Sequence, residues 1–329
     1  MNIGWIGCGT HATQMLLPQL LRQDVRLAAI CDVDTGNLAR AARQFGVTTV
    51  TSDYRDLLAR KDIDAIGMAI GPAAHLEIGL AALARGLPVF MEKPPGANAA
   101  DAEKLLAASE AAKKPLIVGF MKRYSIGNRI ARNVIAGGQF GRVLGLYGSY
   151  MTAPGYFKGS VDYSGFFLHH CVHYMDLPAF FAGPIRSLEA REVENGAGRL
   201  LIHVALGFES GALGTIVMGT VQSRGTPMEF IQIMGDHTRL EVDNVMKVTF
   251  FRDPPFKVQD KDATLDPEVD ALTWTPNLTA AANEDYKGYD TLLAETVRAF
   301  RGEASSAPDI VDGVTAMRLL EQLRSQLGR

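Results

Sequence analysis

The first 120 residues alternate short apolar runs with segments whose apolar positions recur every three to four residues. The runs are IGWI (3–6), LAAI (27–30), TTV (48–50), AIGMAI (65–70), PVFM (88–91) and PLIVGF (115–120). Helical spacing fills 12–22, 35–45, 53–60, 73–85 and 99–112. Apolar runs without polar alternation describe strands buried on both faces, and the helices between them are the crossovers of a parallel sheet. Ser52-Asp53 marks a helix start, and Gly46 and Gly86 mark stops. This part of the chain reads as a doubly wound α/β domain over 1–120.

Beyond residue 120 the pattern changes. Longer strand candidates follow one another: RVLGLYGSYM (142–151), RLLIHVALGF (199–208), GALGTIVMGT (211–220) and MEFIQIMG (228–235). Glu209-Ser210-Gly211 and Gly235-Asp236-His237 have the composition of hairpin turns. Helical spacing appears at 165–182, 288–301 and 310–327, and 253–283, with Pro254, Pro255, Pro267 and Pro276, reads as loop. The expectation for 121–329 is an α+β domain on a large, open, mainly antiparallel sheet, with the C-terminal helices able to pack back on the first domain. An uncovered sheet face would suit a homodimer or homotetramer.

The bulk numbers narrow the function. A chain of 329 residues exceeds what one core commonly serves, in line with two domains. A net charge of -3 with no basic cluster leaves no footprint for nucleic acid. No apolar run is long enough for a membrane span, and Asn2 to Ile6 already reads as strand, so no leader is expected. Three scattered cysteines fit a reducing, cytoplasmic setting.

After the first strand comes Gly7-Cys8-Gly9-Thr10-His11-Ala12, a G-x-G-x-x-A form of the Rossmann dinucleotide fingerprint. Gly7 permits the turn, Gly9 lets a pyrophosphate approach, and Ala12 allows close helix packing. Asp32, at the end of the second strand, is placed to accept the adenosine ribose hydroxyls, with Asp34 nearby. A 2′-phosphate there would meet like charge, so NAD is expected over NADP. The plainer reading of Asp32 is a helix cap.

Lys93 follows the fifth strand in VFMEKPPG (89–96), at the carboxyl edge where open α/β sheets bind ligands. Pro94 and Pro95 restrict it, and Lys93-Pro94 is a candidate cis peptide. At this point the chain resembles the glucose-fructose oxidoreductase/inositol dehydrogenase/MocA (Gfo/Idh/MocA) family. The marks are the glycine motif, Asp32, His75-Leu76-Glu77 through Leu83, Glu92-Lys93-Pro94, Gly119 to Arg123, Phe140 to Val143, and His173-x-x-Asp176. The resemblance implies a two-domain, NAD-dependent oxidoreductase of sugars, cyclitols or related alcohols and ketones. It also places His75 near the nicotinamide half, where it could equally cap its helix, with Glu92 at the cofactor and Arg123 near substrate.

Residues 164–178 read SGFFLHHCVHYMDLP. On a regular helix His169, His173 and Asp176 share one narrow wedge, with His170 and Cys171 elsewhere. By resemblance His173 takes the alcohol proton and Asp176 bonds neighbouring hydroxyls. His169 stands where many members carry aspartate, which makes the local charge more positive, and it could equally be a packed interior histidine. A zinc site on the paired histidines is the weaker reading, because Cys171 lies off their face. Tyr156, in the loop before this helix, is a softer substrate candidate. In the expected reaction His173 takes the proton of a secondary alcohol while Lys93 bonds the same oxygen, the substrate being a small polyhydroxylated molecule. A redox-neutral glycosidase, a dinucleotide-binding sensor, a keto-sugar reductase and an aromatic dihydrodiol dehydrogenase stay open.

Overall fold

The structure, a computed structural model, describes residues 1–154, 161–223, 227–252, 261–262, 270–275 and 287–329. The chain divides into two compact units. One comprises Met1–Met121 with Gly288–Glu321, the other Lys122–Lys287 with Gln322–Arg329.

The first unit contains a six-stranded parallel sheet of β1 (Asn2–Ile6), β2 (Arg26–Cys31), β3 (Val50–Thr51), β4 (Ala65–Met68), β5 (Val89–Met91) and β6 (Leu116–Val118). Their order across the sheet is β3-β2-β1-β4-β5-β6. The strand order reverses between β1 and β4, and a crevice opens at that switch outside the strands' carboxyl ends. Trp5, Ile30, Ile66, Val89, Phe90 and Val118 are fully buried, as strands covered on both faces require.

Helices α1 (Leu17–Leu20), α2 (Thr35–Phe45), α3 (Tyr54–Ala59), α4 (Pro72–Ala84) and α5 (Ala99–Ala112) make the crossovers. Helix α2 starts at Asp34, whose side chain accepts from Asn37 N, and stops at Gly46 with φ +67°. Asp53 caps α3 in the same way. The first crossover departs from the expected regular helix over 12–22. Ala12–Leu16 is a π-helical turn, and α-geometry begins only at Leu17. Pro18 accounts for this, because it has no N–H to give and its ring crowds the carbonyl four residues back.

The second unit begins at Lys122, within a 3₁₀ turn over Met121–Tyr124, and continues with α6 (Ile126–Ala136). After β7 (Gly145–Met151) come α7 (Ser164–Phe166), a π turn at Phe167–Cys171, and α8 (Val172–Ala182). The strands β8 (Ile185–Glu194), β9 (Leu200–Phe208), β10 (Leu213–Gly219), β11 (Met228–Met234), β12 (Arg239–Asp243), β13 (Lys247–Phe251) and β14 (Ala271–Trp274) complete it. The eight-stranded sheet runs β14-β13-β12-β11-β7-β10-β9-β8. Only the β7–β10 pair is parallel; the other neighbours are antiparallel.

Strand β14 corrects the loop expected over 253–283. Ala271-Leu272-Thr273-Trp274 lies between Pro267 and Pro276, so neither proline interrupts its pairing with β13. Along β7, β10 and β11 burial alternates. Leu146, Ile216 and Ile231 on the inner face line one apolar crevice with Leu177, Pro178 and Phe181 of α8. Tyr147, Leu213 and Met228 are exposed. The chain closes with α9 (Tyr289–Phe300) and α10 (Ile310–Leu327). No helix among the described residues is long and apolar enough to cross a membrane.

Candidate active site

The glycine motif turns tightly out of β1. Gly7 has φ +90°, its N–H donates to Cys31 O at 2.8 Å, and a Cβ there would lie 2.3 Å from Ala69 O. Only glycine fits. At Gly9 a Cβ would meet nothing within 4 Å, so the backbone borders open space. Thr10 and His11 are exposed, and Ala12 is buried.

Asp32 takes a different part from the cap weighed in the sequence. Asp34 is the cap, while Asp32 accepts Cys8 N at 2.6 Å and Asp34 N at 2.8 Å, tying the end of β2 to the glycine turn. A cleft of about 760 Å³, within the usual range for a small-molecule site, is lined by Gly7, Gly9, Asp32, Asp53, Arg55 and Glu77, among others. Open backbone at Gly9 and a carboxylate at the end of β2 suit a pyrophosphate and an adenosine ribose, so the residues present fit NAD.

Two cysteines flank this turn. Burial, with Asp32 adding to it, pushes the Cys8 thiol up to about 12 and Cys31 up to about 11; burial raises Cys171 further still. Thiolates being the reactive form, all three are expected to resist a maleimide at pH 8 in the native protein and to react once guanidinium unfolds it. Mass spectrometry checks this; rapid native modification of Cys8 would contradict a closed turn.

Lys93 stands just beyond β5, half-buried, and its peptide to Pro94 is cis. Its neighbour Glu92 is buried, with Oε2 accepting Lys93 N at 3.2 Å and Oε1 lying 3.6 Å from His11 Nε2. His11 in turn meets the Tyr289 ring edge-on at 5.5 Å. His75, in the first turn of α4, is fully buried, with Nδ1 2.9 Å from Pro94 O. It does not cap its helix, since Gly71 holds that place. A carbonyl can only accept, so Nδ1 carries the proton and Nε2 has a lone pair. Burial lowers the pKa of His75, with the Pro94 carbonyl opposing, which favours the neutral ring. His75 Nε2 and Glu92 Oε1 are buried polar atoms without a hydrogen bond among the described residues. Such atoms are costly unless something else supplies a donor.

The histidine segment of the second unit corrects the single helical wedge. The π turn spans Phe167–Cys171, so His169 precedes the regular helix. A π turn holds more residues than an α turn and breaks the i, i+4, i+7 alignment. His169 is exposed, whereas His173 and Asp176 are buried. Asp176 pairs with Arg123, Nε to Oδ2 at 2.9 Å and Nη2 to Oδ1. Tyr156 lies outside the described residues.

Several polar groups here escaped sequence reasoning. Lys122 is buried and ion-paired with Glu229, which also accepts the Tyr174 hydroxyl at 2.7 Å. Tyr174 is held as a phenol, burial and the Glu229 carboxylate both raising its pKa. The Lys122 ammonium lies 5.6 Å from the Tyr150 ring centroid and 5.7 Å from that of Tyr174. Tyr150 hydrogen-bonds His170 Nδ1 at 2.6 Å. Lys122 and Tyr174 each adjoin a residue singled out in the sequence, but Glu229 carries no sequence signal. It reaches them because β11 pairs with β7 in the register that sets Glu229 opposite Tyr150.

Residues 1–120 match the family model described as "Oxidoreductase family, NAD-binding Rossmann fold". Residues 132–326 match "Oxidoreductase family, C-terminal alpha/beta domain". Inositol 2-dehydrogenase of Salmonella typhimurium is 30% identical over 131 residues, so the chain spans 39% of that relative's length, and the match takes in 39% of this chain. Myo-inositol 2-dehydrogenase of Thermotoga maritima is 27% identical over 268 residues, 76% of this chain and 77% of the relative. A levoglucosan dehydrogenase solved with NADH and L-sorbose superposes with a TM-score of 0.84 at 17% identity, covering 100% of this chain and 96% of its own; that likeness shows the fold. With both halves matched in order, the chain belongs to the Gfo/Idh/MocA oxidoreductase family, with an NAD-binding Rossmann domain followed by a C-terminal α/β domain.

Proposed function

We propose that this protein is an NAD-dependent dehydrogenase that moves a hydride between the nicotinamide and a secondary alcohol or ketone of a sugar, cyclitol or sugar derivative. The observation that carries the reading is the 3.6 Å approach of His11 Nε2 to Glu92 Oε1. It joins the glycine turn, where a dinucleotide would lie, to the segment that holds Lys93. The names of the relatives, two inositol dehydrogenases and a levoglucosan dehydrogenase, support a polyhydroxylated ring as substrate.

Gly7, Gly9, Thr10, His11 and Ala12 would hold the pyrophosphate, and Asp32 the adenosine ribose. Bound NAD supplies the hydride acceptor. His173 takes the hydroxyl proton on a ring nitrogen, work that a base with a pKa near neutrality does well. Lys93 Nζ donates to the same oxygen and stabilises its developing charge. His75, neutral and bonded to Pro94 O, anchors the turn that carries Lys93.

NAD is preferred over NADP on charge. Asp32, Asp53 and Glu77 line the cleft, and its cation Arg55 is engaged by Asp53 and Glu77 at 3.4 and 3.1 Å. A 2′-phosphate about 4 Å from one carboxylate would cost on the order of 4 kcal/mol at an effective dielectric near 20. NADH is therefore expected to bind roughly a hundredfold or more tightly than NADPH, with Asp32→Ala narrowing the gap. Fluorescence titration measures it, and equal affinities in the unaltered protein would refute the preference. The substrate reading is tested by following NADH absorbance with inositols, aldoses, aldonolactones and their keto forms. Absence of turnover across that panel would count against it.

A further inference from the structure

Two adjacent cations grip the helix that carries His173. Lys122 is paired with Glu229, which also accepts the Tyr174 hydroxyl; Arg123 holds Asp176 through two nitrogens. Tyr174 follows His173 by one residue and Asp176 follows it by three. Helix α8 is regular from Val172, so at 3.6 residues per turn Tyr174 points about 100° to one side of His173. By the same measure Asp176 points about 60° to the other side. The two grips bracket the azimuth of His173.

All five gripping residues are buried or nearly so, Lys122, Tyr174 and Asp176 at 7%, 1% and 4% exposure. A buried ion pair adds little stability over apolar residues of the same shape, and in some proteins its use is to fix register.

We infer that Lys122–Glu229–Tyr174 and Arg123–Asp176 form a two-sided clamp that sets the rotation of α8 and so the aim of His173. They are positioning residues. Arg123 and Asp176, expected from the sequence to meet substrate, act in this assignment through the histidine between their grips and Tyr174's. The inference rests on the reading of His173 as the base.

The test uses the full chain and two variants that keep side-chain size, Glu229→Gln and Tyr174→Phe, with exposed His203→Gln as control. The His173 imidazole is followed by carbon and nitrogen NMR, its resonance assigned by its loss in His173→Gln. Each clamp variant is expected to move the His173 titration midpoint by about half a unit or more. Each should also lower kcat by about tenfold to a hundredfold with KM within about twofold. The control should change neither. A His173 titration identical to that of the unaltered protein overturns the clamp, whether or not thermal stability falls. Tyr174→Phe leaves the Lys122–Glu229 pair intact and decides the matter should Glu229→Gln not fold. If the unaltered protein turns over no substrate, the proposed function fails, yet the NMR titration still decides the clamp.

Discussion

Lys93→Ala is expected to lower the rate of the chemical step by about 10²–10⁴-fold and to leave NADH affinity within about threefold. His173→Ala should behave alike. The separation follows from position. Lys93 lies beyond β5 on a segment held by Glu92 and by the His75–Pro94 contact, and it does not line the cleft formed by Gly7, Gly9 and Asp32. Removing Lys93 Nζ would take away a donor that strengthens as charge develops on the substrate oxygen, a loss that falls on kcat. Stopped-flow measurement of NADH formation with deuterated substrate isolates the step. Near-normal turnover in either variant would end the mechanism.

Gly7→Ala and Gly9→Ala, two residues apart in one motif, are expected to fail in opposite ways. At Gly7 the new methyl would sit 2.3 Å from a backbone carbonyl at φ +90°. Positive-φ strain and overpacking together should cost about 2–5 kcal/mol and lower Tm by about 5–15 °C before any cofactor is added. At Gly9 the methyl would enter open space, so the Tm of the cofactor-free protein should hold. It would occupy the ground that backbone gives to a pyrophosphate, and NADH affinity should fall by about a hundredfold or more. Calorimetry with and without NADH separates the two. A Gly9→Ala protein that binds NADH normally would remove the glycine turn from the cofactor site.

Much of the first unit was legible because its signals are local. Apolar runs, the cap at Asp53, the stop at Gly46 and the glycine turn each need only their neighbours in the chain. The first crossover was misread at Pro18, where one missing N–H turned a helical start into a π turn. In the second unit β8, β12, β13 and β14 fell outside the expected strands, and for β8 and β14 the reasons differ. Ile185–Glu194 is charged and mostly exposed, as an edge strand can be, so it shows no apolar alternation. Ala271–Trp274 is four residues between prolines, a strand only because β13 offers it a partner.

By itself, then, the amino-acid order determined that a glycine turn, an acid after β2 and a rigid Glu-Lys-Pro follow successive strands of a parallel sheet, since each depends on residues close in sequence. What only the tertiary structure decided is which charges meet. Asp32 binds the turn, His11 approaches Glu92, Arg123 takes Asp176, and Glu229 joins Lys122 to Tyr174. These contacts span up to 107 residues and arise from strand register and helix packing, which no local pattern encodes.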